Sequence, residues 1–278
     1  MMPIRWRSHV SLHVRTIRAD NPSPMRGDGT NTYLVGSRAL LCIDPGPESA
    51  EHIQAINDAL THGRGTLAGV LLTHGHLDHA PAALPIHEAF GAPIYGGPGL
   101  ALAHRTLNDG DVVPLDDGSS LVALHTPGHA PEHLCFFHAP TGTLFSGDLL
   151  LGHSSVLIAP PGGDMARYLA SLRRLRALPL RRILPGHGPP IENPAERIEA
   201  DLQRRIRRER QILESLADGR ETPEQIAAHL YAHIDPSLRR AAERQVLAHL
   251  LKLVAEGRVA RVEGDDTPRF RLRSTPNL

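Results

Sequence analysis

Between residues 10 and 150 short apolar runs alternate with Gly, Pro and Asp. Runs at 10–17, 32–35, 40–43, 70–72, 121–124, 134–137 and 143–145 predict strands. Helical spacing takes over at 48–60, where Ala50, Ile53, Ile56, Ala59 and Leu60 share a face, and again at 81–90. Some strands follow one another directly and others are separated by helices. That mixture predicts sheets covered by helices, an α/β (α+β) arrangement, and not one simple barrel.

A third amphipathic segment covers 164–178, with Met165, Tyr168, Leu169, Leu172 and Leu175 at helical spacing. Ile183-Leu184 predict a last short strand. The texture then changes. Asn193-Pro194-Ala195-Glu196 combines an N-cap, Pro at the first helical position and Glu reaching back from the third, so a helix is predicted to about 217, before Gly219. Thr222-Pro223-Glu224-Gln225 repeats the signal for a helix to about 231, and another at 237–256 is closed by Gly257. Residues 258–262 and 269–273 alternate around a Gly264-Asp265-Asp266 turn. Helix, helix and hairpin is winged-helix order. Two domains are expected: 1–192, carrying the chemistry, and 193–278, a linker helix with a winged helix.

Composition narrows the function classes. The chain has 278 residues, 41% of them hydrophobic, and 30 basic against 30 acidic groups. No global charge argues for nucleic acid or a membrane surface. No apolar run of about 18 residues predicts a transmembrane helix, and the start, Met1-Met2-Pro3-Ile4-Arg5-Trp6-Arg7, lacks the apolar core of a signal peptide. Cys42 and Cys135 lie in strand-like runs without CxxC spacing, so buried free thiols in a reducing cytoplasm are expected.

The chemistry concentrates in Thr73-His74-Gly75-His76-Leu77-Asp78-His79, directly after the apolar run Val70-Leu71-Leu72. Three imidazoles and a carboxylate in six residues are hard to explain by packing. A divalent cation satisfies them together, and neutral His nitrogen with Asp oxygen suits zinc. Three more donors follow glycines at predicted strand exits: His129 in Thr126-Pro127-Gly128-His129, Asp148 in Phe145-Ser146-Gly147-Asp148, and His187 in Leu184-Pro185-Gly186-His187. Glycine lets the backbone turn sharply there.

In the order and spacing of these seven residues, residues 10–190 resemble the metallo-β-lactamase superfamily. The resemblance implies an αββα sandwich with a dinuclear site at one edge. It assigns His74, His76 and His129 to the first metal, Asp78, His79 and His187 to the second, and Asp148 to both. Zinc is the expected cofactor, two ions per chain, with Mn or Fe as substitutes. Two ions about 3.5–4 Å apart would hold a bridging hydroxide for attack on a carbonyl or phosphoryl centre. Asp78 would also assist proton transfer to the leaving group. Asp44, in Ile43-Asp44-Pro45-Gly46, matches the family's strand-end Asp and is expected to orient a ligand His. With the winged helix, the pattern is similar to the lactamase-beta-like-2 group. Its animal members are endoribonucleases and its fungal relatives include polyketide thioesterases. Ala80-Pro81-Ala82 departs from the small residue and two glycines often found after the last His of the motif.

The other residues admit plainer readings. His125 points to the opposite strand face. His9, His13, His52, His62, His87, His104, His138 and His153 match no motif and are expected as ordinary surface or half-buried residues, while His133 sits close enough to His129 to stay open. Asn31 and Tyr33 are read either as pocket lining or as ordinary strand residues. Arg204-Arg205-Ile206-Arg207-Arg208-Glu209-Arg210 suggests nucleic acid, yet 195–278 hold 16 basic and 14 acidic residues, and the acids of the same helix are available as partners. The leading expectation is a cytoplasmic metal-dependent hydrolase of a small ester, thioester or lactone. A metal-dependent endoribonuclease acting on single-stranded RNA is second. A non-enzymatic nucleic-acid-binding module with a structural metal is third.

Overall fold

The computed structural model describes residues 11–63, 65–262 and 268–273. The expected Gly264-Asp265-Asp266 turn, Val10, His9 and the amino-terminal start lie outside them. By its contacts the chain divides into two units. The first comprises the described residues of Met1–Thr126, Glu132–Ser154 and Leu178–Pro194. The second comprises those of Pro127–Pro131, Ser155–Ala177 and Ala195–Leu278.

The first unit holds two mixed sheets. One has six strands in sequential order: β1 (Val14–Arg18), β2 (Asn31–Val35), β3 (Ala39–Ile43), β4 (Thr66–Leu71), β5 (Ile94–Gly96) and β6 (Arg105–Thr106). The other runs β11 (Arg182–Pro185), β10 (Thr143–Gly147), β9 (Leu134–His138), β8 (Ser120–His125), β7 (Val112–Pro114). Side-chain alternation sorts the first sheet's residues into two cores. Tyr33, Val35, Leu41, Ile43 and Leu71 pack with Leu121, Leu134, Phe136 and Phe145 of the other sheet. Leu34, Cys42, Val70 and Leu72 point the opposite way, onto Ile56 and Leu60 of α1 (Ala50–His62) and Ile86 of α2 (Ala83–Phe90). Both cysteines are buried and free, as their strands predicted. Truncating a core aromatic such as Phe136 or Phe145 costs about 3–5 kcal/mol.

Local signals set the helices. Ser49 caps α1 by accepting from the His52 backbone N–H, and Gly91 ends α2 in the left-handed region at φ 67. Helix α2 starts two residues later than the sequence pattern suggests, because the turn closed by His79 and Ala80 N–H on the His76 carbonyl continues through this stretch. Strands β5, β6 and β7 had no counterpart in the sequence reading. At two or three residues each they are too short to show alternation.

The second unit contains α3 (Met165–Arg176), α4 (Pro194–Ala217), α5 (Pro223–Leu230), a short 3-10 turn at Pro236–Leu238, α6 (Arg239–Ala255) and a hairpin of β12 (Val259–Val262) and β13 (Arg269–Leu272). The expected capping box on α5 is present: Thr222 accepts from Gln225 N–H, and the Gln225 side chain returns to the cap backbone. Ile212, Ile226, Val246, Leu250, Leu253, Val259 and Phe270 form one core from α4, α5, α6 and the hairpin. Among the described residues no helix is long and apolar enough to cross a membrane.

Candidate metal centre

Parallel neighbours end at the same sheet edge. Strands β3 and β4 run parallel, so Asp44 and the Thr73–His79 segment leave the first sheet together. Strands β10 and β11 run parallel, so Asp148 and His187 leave the second sheet together. In the first unit Asp78, His79 and His187 offer donor atoms within 4.8 Å of one another, and so do Asp44, His74 and His79.

The tautomers follow from the partners. His79 Nδ1 lies 2.9 Å from Asp44 Oδ2, and its Nε2 faces His187 Nε2 at 3.2 Å and Asp148 Oδ1 at 3.3 Å. His187 Nδ1 donates to the Gly29 carbonyl at 3.1 Å, and its Nε2 lies 3.4 Å from both Asp78 Oδ2 and Asp148 Oδ1. The Thr73 hydroxyl donates to Asp44 Oδ2 at 2.6 Å. His74 Nδ1, 2.9 Å from that hydroxyl oxygen, is therefore the donor, which puts its lone pair on Nε2, 3.0 Å from His76 Nδ1.

Asp44 organises this edge. Its carboxylate accepts from Thr73 N–H at 2.8 Å, the Thr73 hydroxyl and His79 Nδ1. Among the described residues it is the one non-glycine with positive φ, at 47, a conformation that costs about 1 kcal/mol or more and persists where the surroundings fix it. Behind it, the Thr32 hydroxyl donates to the Asp44 carbonyl at 2.7 Å and meets His52 Nε2 at 2.9 Å. His52 and His138 were expected to be exposed or half-buried. Both are buried, because their ring nitrogens have hydroxyl partners in Thr32, Thr141 and Ser119.

Charge and burial oppose each other in the cluster. Burial alone would depress His79, but Asp148 and Asp44 outweigh it and hold the ring well above the ordinary histidine value. Burial likewise opposes protonation of His187, and Asp148 and Asp78 lift it to about 9. Burial would raise Asp78, yet contact with His187 and the field of His79 bring it to about 2. Asp148 is held well below the carboxylate range against its burial by His79 and His187. A cluster that binds protons this strongly is built for positive charge.

Close packing supports the donors. Gly147 has φ 47, and a Cβ there would stand 2.5 Å from Thr73 Oγ1 and 2.9 Å from His133 Nε2. A Cβ on Gly186 would lie 2.6 Å from His79 Cε1 and 2.8 Å from Asp148 Oδ1. His133, left open by its sequence, is buried and accepts Asp148 N–H on Nε2 at 3.2 Å while Nδ1 meets Thr126 Oγ1 at 3.0 Å. Asn31 and Tyr33 are buried clamps on the turn that carries His187. Asn31 Nδ2 donates to the Pro185 and Gly188 carbonyls, and the Tyr33 hydroxyl donates to Pro185 at 2.7 Å. Glu132, not singled out by its sequence, accepts Gly75 N–H at 3.1 Å. His129 belongs to the second unit, where Nδ1 meets the Leu157 carbonyl at 2.9 Å.

Comparison with known proteins extends this picture. Residues 25–187 match the metallo-beta-lactamase superfamily. The chain belongs to that superfamily. Residues 222–267 match the beta-lactamase associated winged helix domain. The chain is 33% identical over 213 residues to an atrochrysone carboxyl ACP thioesterase of Aspergillus fumigatus, covering 74% of this chain and 66% of the relative. It is 32% identical to a beta-lactamase-like protein 2 homolog of Caenorhabditis elegans, covering 89% and 86%. A crystal structure of a metallo-beta-lactamase family protein from Thermus thermophilus superposes with a TM-score of 0.78 at 25% identity, covering 94% of this chain and 98% of that one. The chain is a hydrolase on the metallo-beta-lactamase fold with a carboxy-terminal winged helix. Membership of this hydrolase superfamily sets aside the non-enzymatic reading.

Proposed function

We propose that this metallo-beta-lactamase-fold hydrolase holds two divalent cations, zinc in the first place, and cleaves a thioester or a related ester or lactone. The observation that carries the reading is the approach of His79 Nε2 to His187 Nε2 at 3.2 Å, with each Nδ1 committed to an acceptor. When both rings give up their Nε2 protons their lone pairs face each other, and a divalent cation satisfies both. The residues fit such an ion: imidazole nitrogens and carboxylate oxygens are suitable zinc donors, and the Gly186 backbone leaves the space that a Cβ would fill.

In this reading His74, His76 and His129 hold one ion, Asp78, His79 and His187 the other, and Asp148 both. The Leu157 carbonyl supports His129 in this role, because it keeps the proton on Nδ1 and the lone pair on Nε2. When bound, such ions activate water near neutral pH and polarise a carbonyl oxygen. Asp78, ionised in its surroundings, would take a proton from the attacking water and hand it to the leaving group. Asp44 keeps His79 and Thr73 in orientation.

The name of the fungal relative supports a thioester. So do Leu77 and Met25, large apolar side chains exposed by 83% and 45% next to Asp78 and Arg26, a pair 3.8 Å apart. An acyl chain has apolar surface to meet there. Helix α4 gives the RNA reading no support. Arg204 pairs with Asp201, Arg210 reaches Glu214, Arg205 is buried, and Arg208 lies over the Tyr231 ring at 4.1 Å. Glu209 pairs across to Lys252 and Arg258.

The test measures bound metal, then screens thioester, lactone and phosphodiester substrates with the parent and with His76→Ala. Loss of thioester or lactone turnover in His76→Ala is expected. Equal rates in both proteins would overturn the reading.

A further inference from the structure

The second unit surrounds His129 with an ordered set of contacts. Helix α3 holds the loop at 127–131: Asp164 N–H donates to the Gly128 carbonyl at 2.8 Å, and the Ser171 hydroxyl to the Pro127 carbonyl at 2.8 Å. Gly128 has φ 144, and a Cβ there would stand 2.5 Å from the Tyr168 nitrogen. The ring itself is held by the Leu157 carbonyl at 2.9 Å.

Two buried side chains fix the residues on either side of Leu157. Arg205 of α4 donates from Nη2 to the Val156 carbonyl at 2.6 Å. Gln245 of α6 accepts the Ile158 N–H on Oε1 at 3.0 Å. Arg205 and Gln245 are exposed by only 4% and 6%. Both are poor choices for packing alone. Arg205 Nε and Gln245 Nε2 are buried with no hydrogen-bond partner among the described residues, and each such group costs stability. A leucine or methionine would fill the space without that cost.

We propose that Arg205 and Gln245 are positioning residues for His129. By pinning Val156 and Ile158 they hold the Leu157 carbonyl on Nδ1, and so fix the ring and the tautomer that put a lone pair on Nε2 for a metal. The winged-helix side of the chain thereby shapes one ligand of the metal centre, through α4 and α6. This rests on the reading of His129 as a ligand.

The experiment uses the full chain, stripped of metal and titrated with Co2+, with ligand-field absorption and chelator competition as readouts. The parent is expected to bind two ions. Gln245→Leu and Arg205→Met should each weaken one of them on the order of 10- to 100-fold and leave the other unchanged. Gln245→Glu keeps an oxygen for the Ile158 N–H and should restore the parental affinity. Leu253→Ala, which opens the core of α5, α6 and the hairpin, should lower the melting temperature and leave both affinities alone. If Gln245→Leu and Arg205→Met bind both ions as tightly as the parent does, the proposal is wrong. A parent that binds no cobalt overturns the metal reading itself, and this inference with it.

Discussion

Nε2 of His79 stands 3.2 Å from Nε2 of His187, although 108 residues separate the two in the chain. Asp44 and the Gly29 carbonyl set the rings so that these nitrogens meet. His79→Ala or His187→Ala should therefore remove one ion of the pair. Hydrolysis should fall by roughly a hundredfold or more while the melting temperature of the metal-free protein changes little. Elemental analysis beside kcat/KM reads this directly. Full metal content in both variants would contradict it.

Asp44→Asn tests the support behind the donors. Its amide would place N–H groups where the Thr73 hydroxyl and His79 Nδ1 now donate. Metal affinity should drop about 10- to 100-fold, and loss of buried charge-assisted hydrogen bonds should cost about 1–3 kcal/mol. Chelator competition and urea denaturation measure the two effects separately.

Protonation links metal loading to pH. In the metal-free protein His187 titrates at about 9, against an ordinary 6.5, as Asp148 and Asp78 overcome its burial. Its folded-state value is raised. The stability it contributes is complete below about 6.5 and is lost as pH rises through about 9. The metal-free protein should melt at a lower temperature at pH 9.5 than at pH 6.5. Zinc added at pH 7 should release protons, seen with an indicator dye in weakly buffered solution. Zinc uptake with no proton release would count against this charge state.

His249 should act in the opposite sense. It is buried in α6, and burial, with Arg205, Lys252 and Arg208 nearby, depresses it to about 3. The unfolded chain takes up a proton near 6.5 and the folded chain does not. Stability should fall as pH drops from about 6.5 towards 3, with a slope approaching ~1.4 kcal/mol per pH unit. His249→Leu should flatten that slope in denaturant titrations followed by circular dichroism.

Gly147→Ala should be severe for its size. The site combines φ 47 with a Cβ position 2.5 Å from Thr73 Oγ1. Destabilisation of about 1–3 kcal/mol is expected from the backbone alone, with Asp148 displaced and metal content reduced. A variant with parental melting temperature and metal content would refute the steric argument.

Much of this was legible in the sequence because the signals are local. Short apolar runs bounded by Gly, Pro and Asp marked β2, β3, β9 and β10, and Thr222 with Gln225 announced α5. The donors from His74 to His79 are neighbours in the chain, and glycines flagged Asp148 and His187. The residues behind the donors were harder to see. His133, Glu132 and His52 act through partners 15, 57 and 20 residues away, and no spacing rule links such positions. Arg205 read as part of a charged surface run, because helical spacing alone does not say which arginine turns inward.

His79 comes from the end of a strand in one sheet, whereas Asp148 and His187 come from the ends of strands in the other. An ion shared by the three would rivet the two layers at their common rim. Opening that rim would then require ligand exchange as well as loss of packing. The loaded protein should outlast the stripped one under protease by slowing its own unfolding.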